Sequence, residues 1–267
     1  MTAAAPTQNG TLRPKRGASL AGLVWTLVRT DFKTRYHGTV GGYLWALAKP
    51  VTMFVVLLGV FSLIFAMDKD YPLNLVIGLF LWEFFAETTM SGLGSLHAKS
   101  FLLTKARFPG WIVVLASLSN ALVTLVLFVA VVCTYVSVFR RPLTATEIGL
   151  FLAYLVAFAV ITAGFSLAAS VLYLLYRDLN QVWDLALRAG FFVAPVIYPL
   201  EIIPEEYHFY LYVWLPTPVI QFSRSVLVDG TVPSARAHLL LALSALFMLM
   251  VGVGVWRRWA PRAVEQL

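Results

Sequence analysis

Six long apolar runs dominate this sequence, at roughly 43–66, 73–96, 111–138, 148–175, 182–199 and 238–256. Most of them match or exceed the ~20 apolar residues that a helix needs to cross a bilayer. Backbone N–H and C=O groups find no partners in lipid, so only helices and closed barrels survive there. The runs lack the period-two alternation of barrel strands, so they are read as helices. Charge agrees with this: 12% of the residues are charged, against about 25% in a soluble domain that must wet its surface. The 267 residues leave little room for a separate soluble domain. The fold class expected is all-α: a polytopic membrane protein with six transmembrane helices.

Orientation follows from the basic residues, which accumulate on the cytoplasmic side. With the N-terminus inside, fourteen Lys and Arg fall in cytoplasmic segments and five outside, Lys49 lying within the first run. Both termini are therefore expected in the cytoplasm, with Arg140-Arg141 as a local exception. The net charge of +7 flanks the apolar runs instead of forming one patch, so no nucleic-acid partner is implied. Residues 1–18 have no apolar core and read as a disordered cytosolic tail, not a signal peptide. Cys133 is the single cysteine, so no disulfide framework can form within the chain.

Residues 19–37 form a separate element. Thr26, Arg29, Thr30, Lys33 and His37 recur at helical spacing, with Leu20, Val24, Leu27, Val28 and Phe32 on the other side. That pattern predicts an amphipathic helix lying in the membrane interface, within which Asp31 and Arg35, four apart, can pair. A single transmembrane domain then occupies 38–267. The loop at 98–109 is basic and amphipathic. Its apolar groups Phe101, Leu102, Leu103 and Phe108, among Lys99, Lys105 and Arg107, suit a partner groove or the lipid headgroups. Between the fifth and sixth runs, residues 208–215 are aromatic but too short to cross, and Pro216 and Pro218 stop them. They read either as a hairpin dipping back into the membrane or as an interfacial helix.

Glu83 and Glu87 lie four apart within the second run. Carboxylates at that depth belong against a protein-lined or watery interior: a lumen wall, a helix–helix hydrogen bond or a proton relay. Asp184 and Arg188 share the same spacing and should pair. Aromatic residues make up 14% of the chain. Interfacial belts account for many of them; stacking on the apolar faces of sugars is the alternative. There is no phosphate-binding loop, since Lys99-Ser100 lacks the required glycines, and the four histidines are scattered. The chain is therefore expected to be a transport subunit without catalysis, metal or cofactor of its own.

Several stretches together resemble the membrane subunit of type-2 ABC exporters of cell-surface polysaccharides such as O-antigen, capsule and teichoic acid. They are the run from Leu27 to Pro50, Gly78-Leu-Phe-Leu-Trp82-Glu-Phe-Phe85, Leu103-Thr-Lys105-Ala-Arg-Phe108-Pro109, Tyr176-Arg177-Asp178-Leu179-Asn180 and Pro195-Val-Ile-Tyr198-Pro199. The resemblance covers about residues 20–225; Thr217 before Pro218 departs from the family's Asn.

The resemblance implies a homodimer in the bacterial inner membrane, joined to two copies of an ATPase that binds the ATP and Mg. Its substrate would be a lipid-linked glycan. The 98–109 loop, with Arg29 and Lys33 of the interface helix, would contact the ATPase. Arg35 and Lys49 would draw the substrate headgroup. Tyr43, Trp45, Trp82, Glu83, Phe85, Glu87, Phe191, Tyr198, Tyr210 and Trp214 would line or gate the conduit. An exporter of drugs or small lipids on the same scaffold, and a stand-alone proton-coupled carrier using Glu83 and Glu87, are the alternatives.

Overall fold

The computed structural model describes residues 20–36, 44–64, 69–101 and 109–264, and all its regular elements there are helical. In chain order these are α1 (Leu20–Tyr36), α2 (Leu44–Phe61), α3 (Tyr71–Ala98), α4 (Trp111–Ser117), α5 (Ser119–Phe139), α6 (Ala145–Leu175), α7 (Leu179–Val193), α8 (Glu205–Val213), α9 (Pro216–Arg224) and α10 (Ala235–Val264). A 3-10 turn at Leu200–Ile202 and a π turn at Ser225–Asp229 complete the set. The N-terminal tail lies outside the described residues.

Four of these segments are long and apolar enough to cross a membrane: Tyr71–Ala98, Trp111–Phe139, Ala145–Leu175 and Ala235–Ala263. The second of them combines α4 and α5. Ser117 Oγ donates to Val114 O at 2.6 Å and Ser119 Oγ to Ala116 O at 2.7 Å. Hydroxyls bonded back to the preceding turn loosen a helix there, and the break falls at Leu118. The first and fifth apolar runs make shorter helices. α2 has 18 residues and α7 has 15, about 27 and 22 Å long at 1.5 Å per residue, against a hydrocarbon layer of about 30 Å. The fifth run stops early because Pro195 and Pro199 cannot continue a helix.

α3 is the central post. Leu75, Ile77, Leu79, Leu81, Phe85, Leu93 and Leu96 are fully enclosed, and α2, α4, α5, α6, α7 and α9 all pack on it. Small residues set the closest approaches, as expected where helices meet without a hydrophobic drive between them. A Cβ on Gly92 would stand 2.1 Å from Ser166 Oγ of α6. A Cβ on Gly252 of α10 would stand 2.2 Å from the Gly164 carbonyl of α6. The outward faces of α5 (Val126, Val131, Val138) and α10 (Leu240, Leu243, Phe247) are exposed and apolar, which suits lipid contact.

Thr144 and Glu147 form a complete capping box at the start of α6. The same corner absorbs the two arginines that broke the charge pattern. Arg140 pairs with Asp70. Arg141 reaches Glu147 at 2.8 Å and donates to Val226 O at 2.8 Å. Each of the two charges is thus matched by a carboxylate at this corner.

Beyond α7, α8 and α9 follow one another, joined by Trp214 and Leu215. Pro204 precedes the first helix, and Pro216 opens the second at a position where no N–H is needed. α9 is driven inward, with Val219, Ile220, Phe222 and Ser223 buried against α3 and α6. At the joint between them, Trp214 meets Trp82 and Phe85. These lie eleven and fourteen residues into α3, about 16 to 21 Å along its axis.

Candidate functional site

The site grows out of α3, which organises one layer at its C-terminal end and two more on neighbouring faces of a single turn near its middle. At its C-terminal end, Lys99 forms an ion pair with Asp31 of α1, both side chains mostly buried. α1 is also held by Leu27, which packs with Ile112 and Ala116 of α4. Trp25, Arg29 and Lys33 stay exposed on its other face, and so does Phe101. Leu102, Leu103, Lys105, Arg107 and Phe108 lie outside the described residues, as does the side chain of Arg35. The expected Asp31–Arg35 pair therefore falls there in part. The sequence did not indicate that Asp31 joins the interface helix to the start of the 98–109 segment.

The middle layer is polar. Lys49 Nζ of α2 lies 3.0 Å from Glu83 Oε2 of α3, with Lys49 largely exposed and Glu83 largely covered. A lysine expected to face an anionic substrate thus already holds a carboxylate. Glu87, one turn further, is half-buried. Both glutamates sit on the least covered stripe of α3, with Met90, Ser91 and Gly94. Tyr43, and the side chain of Trp45, lie outside the described residues.

The third layer is aromatic. Trp82 packs against Phe191 of α7 at 5.7 Å between ring centroids and against Trp214 at 6.4 Å. Phe85 stacks on Phe158 of α6 at 5.8 Å and meets Trp183 and Trp214 edge-on. Edge-to-face and offset contacts at these separations are the favoured geometries. Four of the expected conduit residues thus gather in one cluster, but as packing: Phe85 is fully buried, and Trp82 and Phe191 nearly so. Tyr198 donates to the Phe192 and Val193 carbonyls at 3.1 Å, capping the end of α7. Tyr210 stands apart, exposed on α8. Asp184 and Arg188 pair at 2.9 Å as their spacing predicts.

Sequence reasoning missed three residues that hold this layer. Trp183 Nε1 donates to Thr89 Oγ1 at 3.1 Å. Gly190 lets the Trp214 ring approach so closely that a Cβ there would stand 2.3 Å from it. Arg224, which the sequence suggests only as an outside charge, is buried and donates to the carbonyls of Asn74, Pro195 and Val196 at 2.6–2.9 Å. It fills the space left by Gly78, whose Cβ would fall 2.5 Å from a guanidinium nitrogen. The available signal was a lone arginine beside apolar residues, four after Ile220.

α2 and α7 therefore dock on neighbouring faces of α3, through Glu83 and Trp82. Successive residues on a helix point about 100° apart. The uncovered sides of the two helices (Val51, Val55 and Val56 on α2; Val182, Leu185 and Phe192 on α7) stay exposed.

Residues 22–228 match the profile of the ABC-2 type transporter family. The chain belongs to that family. The matched stretch runs from α1 to the π turn, so every layer of the ABC-2 site lies within it and α10 lies beyond. The chain is 25% identical over 248 residues to an O-antigen export system permease protein RfbA of Klebsiella pneumoniae, covering 92% of this chain and 95% of the relative. An RfbA of Myxococcus xanthus is 24% identical with the same coverage. The polysialic acid transport protein KpsM of Escherichia coli is 24% identical over 241 residues, 88% of this ABC-2 chain and 92% of the relative.

Proposed function

We propose that this chain is the transmembrane subunit of an ATP-driven exporter of an O-antigen-like, lipid-linked polysaccharide across the bacterial inner membrane. It works as a homodimer with two copies of a separate ATPase, which supplies nucleotide and Mg sites that this chain does not need. The observation that carries the reading is the placement of α2 and α7 side by side on α3, each with an uncovered face. Two protomers turning those faces together enclose a conduit, and the relatives named for O-antigen export and polysialic acid transport support a polysaccharide substrate.

Six crossings are completed when α2 and α7 span with the help of their flanking segments, and the termini stay cytoplasmic. The α8–α9 hairpin re-enters the outer half of the membrane, an arrangement favoured by its tip lying so far along α3, and it gates the exit. Polar backbone at such depth is tolerable because α9 is enclosed by protein. ATPase closure pushes on the 98–109 segment, and the Asp31–Lys99 pair passes that push to α1 and α3. Arg35 and Lys49 attract the pyrophosphate of the lipid carrier, Lys49 exchanging Glu83 for the phosphate.

The test is genetic and biochemical. A strain lacking the gene should lose its surface polysaccharide and recover it on complementation. A Phe101→Ala, Phe108→Ala chain should reach the membrane but lose co-purifying ATPase. Normal surface glycan in the deletion strain would refute the substrate assignment and favour a drug or small-lipid exporter.

A further inference from the structure

One stripe of α10 changes character along its length. Leu240, Leu243, Phe247 and Met250 are exposed on it. Leu240 and Arg258 are eighteen residues apart, as are Leu243 and Pro261, which is five full turns. The apolar stripe therefore runs straight into a basic last section made by Arg257, Arg258, Pro261 and Arg262, all exposed. An open groove of about 430 Å³ lies on this section, between Trp256, Arg257, Ala260 and Pro261. Trp256 and Trp259 pack against the cluster around Leu96, Val114 and Val171, which fixes the section to the end of the bundle where α3 finishes. Lys49, Lys99, Arg140, Arg141 and Arg188 each hold a carboxylate, yet among the described residues Arg257, Arg258 and Arg262 hold none. Pro261 has no N–H, so the Arg257 carbonyl also lacks the donor that a helix supplies four residues on.

We propose that this section of α10 binds an anionic phospholipid whose headgroup carries a phosphate and hydroxyls but no ammonium. The phosphate pairs with Arg257 and Arg258, since the planar guanidinium matches phosphate oxygens two at a time. A headgroup hydroxyl donates to the Arg257 carbonyl. The acyl chains lie along Met250, Phe247 and Leu243. Met250 and Arg257 are seven residues apart, about 10 Å along the axis, and the layer between hydrocarbon and water is about 5 to 8 Å thick. The apolar stripe thus ends, and the cations begin, over the depth at which a lipid changes from chain to headgroup.

That continuity favours a lipid over a protein partner, which would gain nothing from a stripe that sinks into hydrocarbon. The basic face of α1 is a separate surface: α1 packs on α4 and α5, whereas α10 packs on α6. Charge selects among lipids. A choline or ethanolamine headgroup brings its own cation against the arginines and forfeits most of the attraction, whereas a glycerol headgroup does not. With both termini in the cytoplasm, the site belongs to the inner leaflet. The inference goes beyond the export reading, because it depends on α10 standing in a membrane and not on the cargo.

The experiment uses the purified full-length protein in a neutral detergent, with dioleoylphosphatidylglycerol and dioleoylphosphatidylcholine as probes. Native mass spectrometry counts the bound lipid, and melting temperatures follow its effect. The glycerol lipid should bind about tenfold more tightly than the choline lipid and raise the melting temperature. Arg257→Gln, Arg258→Gln and Arg262→Gln together should erase that preference and leave the lipid-free melting temperature unchanged, since all three positions are exposed. Arg258→Gln alone should weaken binding several-fold, which reads the same contact in a minimally altered chain. Arg236→Gln, at the opposite end of α10, should keep the preference. Equal binding of the two lipids, a triple variant that keeps the preference, or an equal loss with Arg236→Gln would each overturn the site. A triple variant that binds the glycerol lipid normally but loses co-purifying ATPase would overturn it too, making the section a protein contact. None of these results bears on whether a deletion strain loses its surface glycan, so the lipid site and the export reading fail separately.

Discussion

Lys49 and Glu83 meet at 3.0 Å across the seam between α2 and α3, joining the two helices through a pair of opposite charges. Its partners are unequally covered, with side-chain exposures of 77% and 25%. The cost of breaking it therefore lies between the limits for exposed and buried pairs. Glu83→Gln should destabilise the purified protein by about 1 to 2 kcal/mol, because Lys49 is left facing a neutral amide. Adding Lys49→Met should recover much of that loss while impairing export. Thermal melts of the two variants in one detergent give the comparison; equal melting temperatures for wild type and Glu83→Gln would show that the pair contributes nothing.

The Asp31–Lys99 pair makes a sharper claim about coupling. Reversing one charge, as in Asp31→Lys, places two cations together in a mostly buried spot and should cut surface polysaccharide several-fold. The double exchange, Asp31→Lys with Lys99→Asp, restores opposite charges and should return most of the export. A coupling energy of about 1 kcal/mol or more is expected for a contacting, partly buried pair. Failure of the double exchange to improve on either single change would remove the pair from the coupling path.

Both contacts show where sequence reading succeeds and where it stops. The helical class and the helix at Leu20–Tyr36 were legible because apolar periodicity acts locally. The Asp184–Arg188 pair was legible because i,i+4 spacing fixes its geometry. Asp31 was expected to pair with Arg35, whose side chain lies outside the described residues; it holds Lys99, 68 positions away in the chain, and no local pattern encodes that. Lys49 and Glu83 each stand out in the sequence, but for separate roles, since spacing within a run does not say which run lies beside it. Arg224 was illegible for a related reason: a lone basic residue counts as surface charge unless the carbonyls awaiting it are known.

Gly190 and Trp214 give a prediction about the hairpin. A methyl group at position 190 would stand 2.3 Å from the indole, closer than any tolerable contact, so Gly190→Ala must displace the Trp214 ring from its place against α7. Export should fall strongly, and the tryptophan emission should shift as Trp214 leaves its partners Trp82 and Trp183. Trp214→Phe shortens the ring and should lessen the effect of Gly190→Ala in the double variant. Strict additivity of the two changes would mean that the residues do not act through each other.

The α6–α10 seam separates packing from transport. Gly164 and Gly252 bring two backbones so close that a Cβ on Gly252 would lie 2.2 Å from the Gly164 carbonyl oxygen. Backbone cannot rotate aside as a flexible side chain can, so Gly252→Ala must separate α6 from α10 and forfeit contacts along their seam. Overpacking of this kind costs about 1 to 3 kcal/mol. Gly254, two residues on, has open space where a Cβ would stand, and Gly254→Ala should be neutral or slightly stabilising because alanine favours the helix. The two substitutions add the same atoms to the same helix, so propensity cancels between them. A lower melting temperature for Gly252→Ala than for Gly254→Ala therefore measures the seam alone, and equal values would show that α6 and α10 do not meet there.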